Sequence, residues 1–146
     1  MKVKEIMTRE PATLSPTSTI GEAATIMRQE DAGSVPILEG GRLVGIITDR
    51  DIVIRVLAGG KDAKTTRVSD AMTADPVTVT PETSVDEAQK VMSDRQVRRL
   101  PVVEDGRLVG LVVIGQVARR DSAKDVGETL KGVSEKSSGV SSHGRG

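Results

Sequence analysis

The sequence predicts an α/β (α+β) fold made of two βαββα repeats packed through their sheets with pseudo-two-fold symmetry. Three observations carry this expectation: self-similarity at one fixed offset, apolar stripes of helical period behind capping sequences, and short apolar runs joined at glycine turns. All six prolines fall into pairs 65 positions apart, Pro11 with Pro76, Pro16 with Pro81 and Pro36 with Pro101. Met7 and Met72, and Met27 and Met92, obey the same offset, and Gly41-Arg42-Leu43-Val44-Gly45 recurs unchanged as Gly106-Arg107-Leu108-Val109-Gly110. Agreement of this length without a gap marks duplication of one structural unit.

Taken in order, each copy begins with a leading segment (3–8 in the first) and a short strand at 12–14. A helix over 20–30 follows: Thr19 with Glu22, and Ser84 with Glu87 in the second copy, have the spacing of a capping box. Ile20, Ala23, Ala24 and Met27 form its apolar stripe, which reads as core rather than as a cofactor site. The hairpin joins Val35-Pro36-Ile37-Leu38 to Leu43-Val44-Gly45-Ile46-Ile47 across Gly40-Gly41, and its counterpart turns at Asp105-Gly106, where glycine permits positive φ. A second helix is expected over 49–58, stopped by Gly59-Gly60, with a shorter one at 116–120. One unit alone would expose an apolar sheet face; two copies packed about a pseudo-dyad bury both faces and create two equivalent clefts at the seam. The expected organisation is repeat 1 at 1–60, a polar linker at 61–67, repeat 2 at 68–121, and a Ser-, Gly- and Lys-rich flexible tail at 122–146.

Composition narrows the function classes. The 146 residues carry 21 Lys+Arg against 21 Asp+Glu, so no net field favours nucleic acid or an anionic membrane. Phe, Tyr and Trp are absent, which removes aromatic stacking as a way to hold a base, and the core falls to Val, Ile, Leu, Met and Ala. Without cysteine there are no disulfides or thiolate metal sites, and the single histidine, His143, stands in the polar tail. No signal peptide or membrane-spanning run is present, so a cytoplasmic location is expected. An enzyme is not expected: no imidazole or thiol lies in the folded part, no P-loop or GxGxxG occurs, and the carboxylates show no paired acid–base motif. Asp49 and Asp51 could take Mg²⁺ with a nucleotide, but nothing demands a metal, and none is expected.

The stretch Gly45-Ile46-Ile47-Thr48-Asp49-Arg50-Asp51 passes from a buried strand into a helix. Such a junction offers unpaired N–H groups and positive dipole character to a phosphate, a hydroxyl donor at Thr48, and a carboxylate at Asp51 able to accept from paired sugar hydroxyls. Read in isolation, the same residues serve equally as helix caps.

Together, the repeat unit and this motif resemble the CBS-domain family, whose tandem pairs form a Bateman module. The resemblance spans about 3–120 and rests on Ile6-Met7-Thr8 and Ala71-Met72-Thr73, on Val35-Pro36-Ile37 and Leu100-Pro101-Val102, on the glycine-bounded hairpins and on Thr48 with Asp51. It implies a disc-like pair that binds adenosine-containing ligands (AMP, ADP, ATP or S-adenosylmethionine) in the seam clefts and that dimerises. By the same resemblance Asp51 would hold ribose and Thr48 phosphate. Ile46, Asp75, Pro76, Val77, Val97 and Pro101 would build the adenine pocket, and Arg98 would face the phosphates, assisted by Arg50. Solvated surface arginines are the competing reading of Arg50 and Arg98. The second repeat departs from the pattern: Val113 and Gln116 stand where Thr48 and Asp51 stand in the first. Its cleft, completed by Glu10, Pro11 and Gly33, is therefore expected to be empty or altered.

The expected function is a non-catalytic regulatory module that needs no resident cofactor. An adenine nucleotide or S-adenosylmethionine would be its regulatory ligand, and it would signal energy or metabolic state, as a homodimer, to a separate protein partner. Neither nucleic acid nor membrane is an expected partner. The alternative is a ligand-free dimeric interaction module in which Thr48 and Asp51 only cap a helix. A regulatory segment cut from a longer enzyme is disfavoured by the Met1 start and the fraying tail.

Overall fold

Capping, turn chemistry and apolar period act twice in this chain, and in the computed structural model, which describes residues 1–115 and 117, they yield one six-stranded antiparallel sheet shared by both repeats. A 3₁₀ turn at Val3–Glu5 leads to β1 (Thr8–Arg9), α1 (Ile20–Glu30), β2 (Ser34–Glu39), β3 (Arg42–Thr48) and α2 (Asp49–Asp51), which continues as a π-helix at Ile52–Leu57. The second repeat has a 3₁₀ turn at Val68–Asp70, then β4 (Thr73–Ala74), α3 (Val85–Arg95), β5 (Arg99–Glu104) and β6 (Arg107–Val113). The expected helix at 116–120 and the tail at 122–146 lie outside the described residues, as does Gln116.

Local chemistry explains the element ends. Thr19 Oγ1 accepts from Glu22 N at 3.2 Å and Glu22 Oε1 accepts from Thr19 N at 2.8 Å, closing the capping box; Ser84 Oγ accepts from Glu87 N at 3.0 Å. The two hairpin turns take the left-handed backbone at Gly40 and Gly41 (φ 60° and 82°) and at Asp105 and Gly106 (φ 54° and 80°). Arg42 and Arg107 face each other where β3 meets β6, each lying over the other repeat's turn glycine.

Three local expectations change. The first strand forms at Thr8–Arg9 instead of 12–14, because Pro11 has no N–H to give and Glu10, at φ 48°, turns the chain off the ladder. Leu14 keeps an isolated parallel bridge to Ile37, its N–H donating to Pro36 O at 3.1 Å. Beyond Asp51 the helix widens: Ala58 N donates to Val53 O, and Lys61 N to Val56 O, each at 2.9 Å and over five residues. Ile52 and Val56 enter the core, and the Arg55 guanidinium reaches Ala71 O and Met72 O at 3.1 and 3.3 Å. Ala24, assigned to the buried stripe, is exposed, and the apolar face of α1 is Ile20, Ala23, Ile26 and Met27.

The leading segments are exchanged between repeats. β1 pairs with β6, and β4 pairs with β3. Val3 N donates to Thr83 O and Val68 N donates to Ser18 O, both at 2.8 Å. Val3 is thereby buried with Val85, Leu100, Val102 and Val112, while Val68 is buried with Ile20, Val35, Ile37 and Ile47. The crossing strands come so close that a Cβ on Gly45 would stand 2.5 Å from Met72 Sδ and 3.0 Å from Thr73 O, and one on Gly110 would meet Met7 Sδ and Thr8 O at the same distances. The polar linker is also put to use, since Ala63 O and Thr66 O each accept from the first turn of α1 at 2.9 Å.

Candidate functional site

At the end of β3 the Thr48 hydroxyl oxygen accepts from Asp51 N at 3.0 Å, and Asp51 Oδ2 accepts from Thr48 N at 3.0 Å. The cap foreseen as the alternative reading is thus formed in full. It leaves the Thr48 hydroxyl hydrogen to donate and further lone pairs on the Asp51 carboxylate to accept. The Asp51 side chain is 12% exposed, and its Oδ1 stands 3.8 Å from Arg55 Nε.

Several of the other candidates lie on the sheet or on the segments that enter and leave it. Ile46, buried on β3, pairs with Thr73 of β4. Asp75 follows with its N–H donating to Val44 O at 3.2 Å, and Pro76 and Val77 lie half-buried beyond it. Val97 packs on the second core, and Arg98 is exposed with its carbonyl accepting from Ile114 N at 2.8 Å. Arg50 is exposed at the start of α2. Pro101 is buried within β5 opposite Leu111, so its ladder neighbours belong to the second repeat.

Arg99, next to Arg98 and not among the site residues expected from the sequence, is half-buried at the start of β5. Burial lowers its pKa, the Asp49 carboxylate opposes that shift, Arg98 adds to it, and Asp51 opposes it again, so this cation lies within the field of the α2 carboxylates. The sequence did carry a signal: under the 65-residue offset Arg99 matches Ser34, so a charge replaces a small polar group at the head of an otherwise apolar strand.

A cavity of about 350 Å³ opens at the second seam, lined among others by Pro11, Gly33, Ser34, Arg99, Leu111 and Val113. Pro11, Gly33, Leu111 and Val113 are the counterparts of Pro76, Arg98, Ile46 and Thr48. The cleft expected to be altered is therefore roomy, and it lacks the hydroxyl that Thr48 supplies in the first. It also touches the other one: Gly33 O accepts from Asp49 N at 3.0 Å, and Ser34 pairs with Thr48 across β2 and β3.

Residues 3–58 and 68–123 each match the CBS domain. The chain belongs to the CBS-domain family. This CBS pair is 41% identical over 133 residues to the CBS domain-containing protein YhcV of Bacillus subtilis, covering 90% of this chain and 94% of that one. Among solved structures it resembles Hypoxic Response Protein I with two coordinated zinc ions (37% identity, TM-score 0.75, covering 82% of this chain and 98% of that one). The CBS domain pair of protein MJ0100, in complex with 5′-methylthioadenosine and S-adenosyl-L-methionine, matches with 32% identity and TM-score 0.77, covering 85% and 98%. CBSX2 in complex with AMP matches with 25% identity and TM-score 0.73, also covering 85% and 98%. The tandem is a regulatory module of the CBS type. Among the described residues no three His, Cys, Asp or Glu converge as for a metal ion, and no helix is long and apolar enough to cross a membrane.

Proposed function

We propose that this CBS pair is a non-catalytic cytoplasmic module that binds an adenosine-containing ligand, AMP, ADP, ATP or S-adenosylmethionine, at the Thr48/Asp51 cleft and passes that state to a partner protein. The observation that carries the reading is the Asp51 side chain: it is 12% exposed, fixed by Thr48 N–H, and left with acceptor capacity at the end of β3. Asp51 accepts the ribose hydroxyls and the Thr48 hydroxyl donates to phosphate. Ile46, Pro76, Val77 and Val97 enclose the base, with Asp75 and Pro101 behind them, and Arg50 and Arg98 screen the phosphates. The AMP held by CBSX2 and the S-adenosylmethionine held by MJ0100 support the ligand class.

Signalling follows from Arg55, which stands 3.8 Å from Asp51 and donates to Ala71 O and Met72 O of the exchanged segment. A ribose that competes for Asp51 loosens or redirects that arginine, so ligand occupancy shifts the relative placement of the repeats by its differential affinity for the two arrangements. Val53, Ile54 and Leu57 are 52%, 54% and 61% exposed on the π-helix, an apolar face suited to a second copy in a homodimer.

The test is isothermal titration calorimetry with the three nucleotides and S-adenosylmethionine, on the native chain and on Asp51→Ala. One nucleotide per chain, weakened by about 2 kcal/mol in the variant, is the expected result. A folded dimer that gives no heat with any of them would overturn it in favour of the ligand-free interaction module, the reading favoured by the completed capping box.

A further inference from the structure

The strands that cross between repeats are short and exposed along their whole length: β1 is Thr8–Arg9 and β4 is Thr73–Ala74, two residues apiece. A half-buried methionine precedes each, Met7 before β1 and Met72 before β4. Their sulfurs sit at the two crossings, Met7 Sδ against Gly110 of β6 and Met72 Sδ against Gly45 of β3, so close that a Cβ on either glycine would stand 2.5 Å from sulfur. Each thioether is thus lodged where even one more carbon on the facing strand would collide. The other methionines are placed differently: Met1 is 61% exposed, Met92 is buried in the second core, and Met27 lies on the 11-residue helix α1.

We propose that Met7 and Met72 are oxidation sites, and that a peroxide acting on either sulfur unlatches the crossing strand beside it. Strands of two exposed residues fray well before a core opens, and fraying bares the sulfur. A sulfur lone pair then attacks one oxygen of hydrogen peroxide, so that the S–O bond forms as the O–O bond breaks. The proton on the transferred oxygen passes to the departing hydroxide, which leaves as water; sulfur is oxidised by two electrons and the peroxide reduced by two. The sulfoxide is polar and one oxygen larger, and it cannot reseat on a glycine beside which a Cβ has no room. Methionine sulfoxide reductase returns the thioether, so the latch closes again. The latch of the first repeat reaches further. Arg55 donates to Ala71 O and Met72 O at 3.1 and 3.3 Å and stands 3.8 Å from Asp51 Oδ1, so release of β4 frees this arginine to close on Asp51. There it competes with ribose, a consequence that rests on the function proposed above; the latch itself does not.

Hydrogen peroxide on the full chain, followed by peptide mass spectrometry and amide exchange, tests this. Oxidation is expected first at Met1, next at Met7 and Met72, and last at Met27 and Met92. Exchange in the β1–β6 and β4–β3 pairs should quicken about tenfold while α1 and α3 keep their protection, and the reductase should reverse the change. Met7→Leu should spare β1–β6 alone and Met72→Leu β4–β3 alone, since leucine keeps an apolar side chain at the crossing without the sulfur. AMP should bind the oxidised chain about tenfold more weakly, a loss that persists in Met7→Leu and vanishes in Met72→Leu. The latch is overturned if Met7 and Met72 oxidise no faster than Met92, or if the oxidised chain exchanges as the native one does. Unchanged AMP affinity in a chain whose β4–β3 pair has opened would overturn the reach to Asp51. An untreated chain that binds no AMP would instead sink the nucleotide reading, while the exchange rates still decide the latch.

Discussion

The Asp51 carboxylate divides its two oxygens between cap and arginine: Oδ2 accepts from Thr48 N at 3.0 Å, and Oδ1 lies 3.8 Å from Arg55 Nε. The cap is therefore compatible with the ligand role proposed for Asp51, and the two separate under substitution. Asp51→Asn keeps an acceptor for Thr48 N–H, so its melting temperature should stay close to the native value while nucleotide affinity falls; Asp51→Ala should lose affinity and also about 1 kcal/mol of stability, read by denaturant unfolding. A second residue-scale prediction concerns Glu82, which accepts from Lys2 Nζ at 2.5 Å and Lys4 Nζ at 2.9 Å. The hydrogen bond from Lys2, then that from Lys4, holds its carboxyl down at about 2 against an ordinary 4.5. A depressed carboxyl stabilises the fold above its ordinary value and loses that contribution as pH falls from 4.5 through 2. Thermal melts should thus show the native chain above Glu82→Gln near neutrality, the two converging in acid or in high salt. The Thr48–Asp51 spacing was legible because capping is local. The burial of Arg99 was signalled only by its match with Ser34, since how far it is covered depends on what the other repeat brings to the head of β5.

At the scale of elements, local chemistry predicted well and non-local pairing did not. Both hairpins, α1 and α3 follow from turn glycines, caps and apolar period in the sequence itself. The expected strand at 12–14 failed because Pro11 and the bent Glu10 displace pairing to Thr8–Arg9, and the partner that rewards this, β6, lies a hundred residues downstream. The π-helix was equally hidden: it is held by Ala58 and Lys61 N–H groups and by Arg55 reaching Ala71 O and Met72 O, contacts that no helical pattern announces. Two substitutions probe these elements. Thr19→Ala removes one side of the α1 capping box and should cost about 1 kcal/mol in denaturant unfolding. Gly110→Ala drives a Cβ to 2.5 Å from Met7 Sδ and 3.0 Å from Thr8 O, and should cost about 1–3 kcal/mol, much of it by prying β1 from β6, visible as faster amide exchange in that pair.

For the whole molecule the governing fact is that each core is closed by the other half. Residues 1–60 alone keep Val3 and Met7, which belong to the second core, and lack Val68, Ala71 and Met72, which complete the first. That fragment should give a collapsed, weakly cooperative circular-dichroism melt on its own, and mixing it with 61–146 should restore a single sharp transition; independent cooperative folding of either piece would contradict the exchange. The tandem of two like repeats was legible from the 65-residue offset, because symmetry in sequence becomes symmetry in space. The cavity of about 350 Å³ beside Arg99 and the end of α1 was not, for it turns on how those groups settle at the seam. A wider consequence follows from the crossed arms. Two separate single-repeat chains could trade leading segments in the same way and assemble as a symmetric dimer, but both clefts would then be bound to one ancestry and one sequence. Joining the copies through 61–67 makes their meeting intramolecular, at an effective concentration of about millimolar for a short tether. It also releases each repeat from its twin, so that Thr48 can stand in one copy and Val113 at the matching place in the other without either change being repeated.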